Sequence, residues 1–472
     1  IQPEKKFNQK LLVELGNDII HRGPDSEGYI NEIGIGGVFR RLSIIDPTKK
    51  SDQPMTSGKI SIFFNGEIYN FKELKAQLIS ENVNFISEGD TEVILKGYEK
   101  YGKVFFKKLI GMFSILIVDR VLNKVLALRD PLGIKPLYFY KNDKFIGVSS
   151  EVRPLLRACN PEVDENALKE LIVFGWAAGK LSNYKNIDLI QQGTSIEIDL
   201  KTSEVKEEVY DNIFNFERSE NLDISKIKDL LDKSIVDHTM SDVGYCLQLS
   251  GGVDSSYIAA LCSENSSRKL KSFSISVEDE NFNEEKFQNL VIEKFNLDYE
   301  KINFNGQNYA EELPEAINYM EGPTPHGGCV ALKYLNRKIS KFSKVVLTGE
   351  GADELFGGYN RYQFLEYFRY IEIVKKFIPS SVIPNIYPFK TLKKYYRTSP
   401  AIFSSVYFDY ENLWKSMPDI IPLPGHRDKI SNKFNDFYDK LRSVDQSSYL
   451  SSLLIRQDKM SMAHSVEARV PS

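Results

Sequence analysis

At 472 residues the chain is longer than one hydrophobic core organises, so two domains are expected, each large enough to bury a core of its own. A hydrophobic content of 42% beside 27% charged residues excludes the disordered and fibrous classes, and a net charge of −4 with interspersed signs excludes a general attraction to nucleic acid or anionic membrane. No apolar run approaches the about 18 residues that span a bilayer and no secretory signal opens the sequence, so a cytoplasmic enzyme is expected, without nucleic-acid or membrane partners.

In chain order, residues 60 to 150 read as strands closed by Gly, Asn, Asp or Pro: ISIFF, GMFSILIVD, KVLALRD and KFIGVSS. Helices FKELKAQLI (71–79), following an Asn65-Gly66 turn, and TEVILKGYEKYG cover this sheet, which predicts a layered α+β domain, largely antiparallel, over 1–205. A polar, charged stretch marks a linker at 206–222. The second domain, 223–472, opens with a helix that places Ile224, Ile227, Leu230, Leu231 and Ile235 on one face. Short apolar strands then alternate with loops and helices: YCLQL before SGGVDSSYIAALC, LKSFSISV before a helix near 283–295, and KVVL before TGEGADELFGGY. That alternation predicts a parallel α/β sheet, and 360–455 reads as a mainly helical continuation. The cysteines, Cys159, Cys246, Cys262 and Cys329, are too scattered for a zinc site or disulfide scaffold and are expected as buried thiols. His326 stands three residues before Cys329, a nucleophile and base spacing for which no third orienting group is identified.

Ser250-Gly251-Gly252-Val253-Asp254-Ser255 lies between a buried strand and a helix. The glycines let the backbone turn and present amides, the hydroxyls add donors, and the helix directs its positive end to the same spot, so a phosphate belongs there. Without a Walker lysine or a dinucleotide spacing, the loop resembles that of enzymes splitting ATP into AMP and pyrophosphate. Asp254 in an anion site calls for a bridging cation, and magnesium suits it. Thr348-Gly349-Glu350-Gly351-Ala352-Asp353-Glu354 repeats the pattern after another strand. Loops after different strands of a parallel sheet meet at its carboxyl edge, so Asp254 and Asp353 can share the metal.

SGGVDSS, GEGADELFGGY and DKMSMAHSVEARVP, in this order, resemble the synthetase domain of glutamine-hydrolysing asparagine synthetases, an N-type ATP pyrophosphatase fold. The resemblance implies that Glu350 assists the acyl-adenylate, that Lys459 stabilises adenylate and pyrophosphate, that Leu249 and Ile275 pack near adenine, and that Thr348 and Gly349 touch the nucleotide, beside Ser250, Gly251, Gly252 and Ser255. In the first domain, HRGPD, RLSIID, FNGEIYN and GDTEVIL supply what free glutamine needs: Arg41 for its carboxylate, Asp90 for its amine, and Asn65 with Gly66 as oxyanion donors. Together they resemble a class II glutamine amidotransferase domain of the Ntn-type αββα fold. That resemblance adds Glu67 and the backbone of Leu42, Ser43, Ile44 and Ile45 to the glutamine site.

The family's nucleophile is an N-terminal cysteine, whereas this sequence opens on Ile1. Two explanations stand: residues preceding those given carry it, or the enzyme is an ammonia-dependent form. The expected reaction is adenylation of a carboxylate, most simply L-aspartate to L-asparagine, followed by ammonia attack. Because EGPTPHGGCV (321–330) departs from the usual segment, a sugar acid stays open as acceptor; Glu321 and His326 would face it, with Arg456 or Arg469 as partner for an α-carboxylate. An inactive relative serving as a nucleotide sensor is the non-enzymatic alternative, against which Asp254, Glu350, Asp353 and Lys459 speak. The implied partners are small-molecule substrates (glutamine, ATP and the acceptor), and a homodimer is left open.

Overall fold

The computed structural model describes residues 1–2, 5–213, 223–277, 284–323, 326–363, 373, 376–379, 382 and 425–471. The first half opens with α1 (Gln9–Asp18) and a hairpin of β1 (Ser26–Glu32) and β2 (Ile35–Arg41). There follow β3 (Met55–Ser57), β4 (Ile60–Ile68), α2 (Phe71–Ser80), α3 (Asp90–Tyr101), β5 (Gly111–Asp119) and β6 (Lys124–Arg129). Next come β7 (Tyr138–Lys141), β8 (Ile146–Ser149), α4 (Val152–Cys159), α5 (Glu165–Phe174), β9 (Ile187–Leu189), β10 (Thr194–Asp199) and β11 (Val205–Val209).

Strands β11-β10-β6-β5-β4-β3 form an antiparallel sheet, and β8-β7-β9 form a second. The period-two alternation decides the layering. Ile62, Phe64, Phe113, Ile115 and Ile117 point to α2 and α3, where Leu74, Leu78, Val93 and Ile94 meet them. Their neighbours Phe63, Val118, Val125 and Ala127 point the other way, onto Ile30, Ile35, Leu137 and Ile146 of the facing strands. Both faces of the large sheet are therefore covered, which is why GMFSILIVD is an almost unbroken apolar run. Asn65 and Gly66 do not form the expected turn. They lie inside β4, opposite Ser114 and Phe113, and a Cβ on Gly66, at φ +149°, would sit 2.0 Å from the Met112 carbonyl. β11 runs past residue 206, where the linker was expected to start; of the rest of that linker, 210–213 are described and 214–222 lie outside the described residues.

The second half holds α6 (Ile224–His238), β12 (Cys246–Gln248), α7 (Val253–Glu264), β13 (Lys271–Val277), α8 (Glu285–Phe295), β14 (Asp298–Phe304), α9 (Gly306–Met320) and α10 (Gly328–Ile339). β15 (Val345–Leu347), α11 (Ala352–Phe356), α12 (Asn360–Gln363), α13 (His426–Ser431), α14 (Phe437–Val444), α15 (Leu450–Met462) and β16 (Glu467–Arg469) complete it. The sheet is parallel throughout, in the order β14-β13-β12-β15-β16. From β12 the chain first moves outward through β13 and β14, then returns to place β15 on the other side. The crevice between the loops after β12 and β15 is thus the switch point where such sheets bind ligands. The described parts of 360–455 are helical, as expected, and much of the rest of that stretch lies outside the described residues.

Between the halves, Ile44 joins the buried cluster of Ile235, Leu247, Leu249 and Leu347, with Leu42 and Ile45 packed against it. Tyr69, Met112 and Ile134 form a second seam with Leu450, Leu454 and Val470. No helix among the described residues is long and apolar enough to cross a membrane.

Candidate active site

The loop after β12 is closed by its own hydroxyls. Ser250 Oγ and Ser255 Oγ lie 2.8 Å apart, the Gly252 amide donates to Ser250 Oγ at 3.2 Å, and Gly251 turns at φ +90°. α7 starts directly behind it, so the first unpaired helical amides border the loop. The loop after β15 presses against it: a Cβ on Gly349 would lie 2.9 Å from the Ser255 amide nitrogen and 3.0 Å from Asp254 Cβ. Asp254 and Asp353 consequently feel each other, and burial together with the Asp353 charge raises the Asp254 pKa. Leu249 is buried in the sheet core, Ile275 is half-buried on β13, and the Thr348 amide donates to the Arg469 carbonyl at 3.0 Å.

α15 brings three side chains to this edge at helical spacing. Ser452 contacts His326 Nε2 at 3.3 Å, Arg456 Nη2 pairs with Glu350 Oε1 at 2.7 Å, and Lys459 pairs with Glu321 while donating to the Met320 carbonyl at 3.2 Å. Lys459 is buried. Desolvation works to lower its pKa, but the attraction of Glu321, Tyr138 and Glu151 outweighs it and holds the ammonium form. Arg456 is therefore committed to Glu350, and Glu321 to Lys459. Cys329 is packed among Phe304, Ala316 and Met460, its amide donates to the His326 carbonyl at 2.9 Å, and the His326 ring stacks against Trp176 at 5.8 Å.

In the first half, Arg41, Leu42, Ile44, Ile45, Asn65, Gly66, Glu67 and Asp90 all line one cavity of about 460 Å³; Ser43 is not among its lining residues, and its amide donates to Asp25 Oδ2 at 2.7 Å. Asn65 Nδ2 lies 3.4 Å from Ser114 Oγ. Arg41 Nη1 donates to the Thr48 carbonyl and to Asp52 Oδ1, each at 2.9 Å, and Nη2 to the Asp46 carbonyl at 2.6 Å, so the guanidinium also braces the 45–52 loop. Asp90 begins α3, accepts the Ile68 amide at 3.1 Å, and is pushed by burial up to about 6. Glu67 is raised too, by burial and then by the neighbouring Asp90 charge.

A cavity lined by Arg41, Asn65, Gly66, Glu67 and Asp90 in one half and two touching glycine-bearing loops in the other stand beside the comparisons with known proteins. The glutamine amidotransferase domain family covers residues 2–211, and the asparagine synthase family covers 226–472. The chain belongs to the glutamine-hydrolysing asparagine synthetase family. It is 30% identical to asparagine synthetase 1 of Bacillus subtilis strain 168, over 98% of this chain and 76% of the relative. Asparagine synthetase 2 of the same organism is 34% identical over 74% of the chain and 50% of its own length, and the Zea mays enzyme 29% identical over 75% and 59%. As a member of that family the chain is a glutamine-hydrolysing amidotransferase and ligase that uses ATP.

This asparagine synthetase relative also carries buried charges at the domain joint that motif reading did not reveal. Arg469 Nη2 reaches Glu67 at 2.7 Å, and its Nε holds Glu467 at 2.9 Å. Lys135 stands between Glu467, at 3.8 Å, and Asp458, at 3.2 Å; Arg22 then links Asp458, at 2.8 Å, to Glu151, at 3.1 Å. Arg469 is thus absorbed by the glutamine side and, like Arg456, is not left over to receive an α-carboxylate. The sequence signal for it was its neighbourhood: Glu467-Ala468-Arg469 in an apolar strand predicts charges that must find buried partners.

Proposed function

We propose that this enzyme converts a carboxylate to its amide, taking ammonia from glutamine and driving the reaction by ATP cleavage to AMP and pyrophosphate. The observation that carries the reading is the contact of the two glycine loops at the switch point, which brings Asp254 within the electrostatic reach of Asp353. Among the described residues no group of three metal-ligating side chains occurs, but magnesium typically takes one or two carboxylates and completes its shell with phosphate oxygens and water. Asp254 and Asp353 fit that pattern, and a cation there would relieve their repulsion and neutralise the pyrophosphate.

In the first half, Asn65 and the Gly66 amide would hold the oxyanion formed at the glutamine amide carbon while Arg41, Glu67 and Asp90 fix the amino-acid end. Released ammonia has an apolar way onward. Met112, whose carbonyl faces Gly66, belongs to the seam with Tyr69, Ile134, Leu450 and Leu454, against which Leu355 of α11 packs, two residues after Asp353. An apolar path favours neutral ammonia over ammonium and slows its loss to water. In the second half, Glu350 assists formation of the acyl-adenylate, Lys459 balances charge near the α-phosphate, and ammonia displaces AMP. The setting is cytoplasmic.

Arg41→Ala should raise the glutamine requirement by about 30-fold or more, since a charged partner is worth about 2–5 kcal/mol, while amide formation from ammonium salts stays near the parent value. Equal losses with both nitrogen sources would leave Arg41 only its bracing of the 45–52 loop.

L-aspartate is the acceptor suggested by the relatives' names. A hydroxylated acid such as a sugar acid is the second reading, favoured by a cavity of about 120 Å³ beside Lys459. Ser447, Ser448, Ser451 and Ser452 form one wall. Among the described lining residues only Lys459 and Glu321 are charged, and they pair with each other; burial, then Arg456, pushes His326 down to about 4. An α-amino acid needs a further anion and cation. ATP–pyrophosphate exchange screened with aspartate, glutamate and uronic acids decides: exchange with a uronic acid and none with aspartate transfers the assignment.

A further inference from the structure

The seat of Lys459 is built from both domains. α4 has no side-chain cap of its own: Glu151 stands at its N-cap position without a capping hydrogen bond. Glu321 of the other domain takes that place. It ends α9 in the left-handed conformation, φ 60°, and its carboxylate accepts the Val152 amide at 2.9 Å and the Arg153 amide at 2.6 Å. Those are two of the amides that an uncapped helix leaves unpaired. The same carboxylate holds Lys459, and both side chains are buried. Two further groups from the first domain face the ammonium: the Tyr138 ring of β7, 5.3 Å from Nζ, and Glu151, itself tied to Arg22 and His21. Without α4 and β7, Glu321 would lose its amides and Lys459 would meet water instead of an aromatic face.

We propose that Glu321 is the positioning residue for Lys459 and that the glutaminase domain, through the first two amides of α4, builds this seat, so that adenylation requires the docked first domain even when ammonia is supplied directly. The inference rests on Lys459 acting at the adenylate. A carboxylate held by a helix N-terminus cannot follow a mobile lysine, so it fixes where the ammonium can reach. It also keeps Lys459 charged in a buried site, where desolvation alone would favour the neutral amine.

The test uses the full chain with ammonium chloride as nitrogen source, ATP and a carboxylate the parent turns over, and reads AMP formation against pH. Glu321→Gln keeps the shape but removes the charge; kcat should fall about 100-fold, the scale of losing one preorganised electrostatic group, with KM for ATP changed far less. Its alkaline limb should move to lower pH, because Lys459 keeps its burial and loses its nearest anion. Glu321→Asp should restore the parent's limb and part of the rate. From the other domain, Val152→Pro deletes one amide at a first helical position that tolerates proline, after a residue already extended at φ −130° and ψ 157°, and should lower the ammonia-driven rate several-fold. Parent-like rate and pH limb in Glu321→Gln, a loss with an unmoved limb that aspartate does not recover, or a parent-like Val152→Pro would each overturn the proposal. A parent enzyme that forms no AMP with any carboxylate would instead overturn the proposed reaction itself.

Discussion

Replacing Asp254 or Asp353 by asparagine is expected to lower AMP formation by about two to four orders of magnitude, because stabilising charge on a transferring phosphoryl group is worth several kcal/mol. Glutamine binding, measured by calorimetry, should stay at the parent value, since neither Asp254 nor Asp353 lines its cavity. A second readout separates lost chemistry from lost fold. Burial and Asp353 raise the pKa of Asp254, so its ionised form is less favourable in the folded protein than in the unfolded chain. A raised folded-state pKa means stability that is present at low pH and lost as pH rises. Asparagine cannot ionise, so Asp254→Asn should melt above the parent at pH 7 in the absence of ligand, and the gap should close under acid conditions. An inactive variant that also melts lower would point to a structural role, and a variant with near-normal AMP formation would end the shared-cation assignment.

Arg469→Leu should be the most damaging single change at the domain joint, destabilising the protein by about 3–5 kcal/mol, the range for removing one partner of a buried ion pair. Arg469 is fully buried and balances Glu67 and Glu467, with Asp90 close by, and it also donates to the His238 carbonyl at 2.9 Å. Its loss leaves carboxylates facing one another in a desolvated space. They can escape the penalty by taking up protons, so the deficit should shrink between pH 8 and pH 5, and adding Glu67→Gln should recover part of it. Urea melts at the two pH values supply the measurement; a loss below about 1 kcal/mol, or one independent of pH, would show that Lys135 and water already satisfy these acids.

How far the sequence carried the reading depends on the range over which each feature is determined. The strand, glycine loop and helix around 246–264 were legible because strand, glycines, hydroxyls and helix follow one another, and the short apolar runs GMFSILIVD and KVLALRD, bounded by turn residues, were enough to expect an antiparallel layer. Asn65-Gly66 was misplaced because its local preference is for a turn, whereas β5 pairs along both flanks and turns the pair into strand. Arg41, Asn65, Gly66 and Asp90 were named from the chemistry of free glutamine and Glu67 from the family resemblance, and all five line one cavity. What stayed hidden was every pairing between residues far apart in sequence. Arg456 and Arg469 were legible as cations but not as the partners of Glu350 and Glu67, and Glu321 read as a substrate contact although it caps a helix of the other domain. Nothing local distinguishes a charge kept for a ligand from one spent on the fold.

The parallel pairing of Val345 with Glu467 and of Leu347 with Arg469 sets an order on synthesis. The first domain has all its strands once residue 209 has been made, while the strand that carries Arg469 is translated on the order of tens of seconds later at ordinary elongation rates. During that interval Glu67 has no guanidinium opposite it, and in its first part α4 also has no Glu321 at its N-terminus. The nascent first domain is therefore at its weakest while it is alone on the ribosome, and the arrival of one edge strand both completes the described order of the second sheet and gives the buried Glu67 its cation.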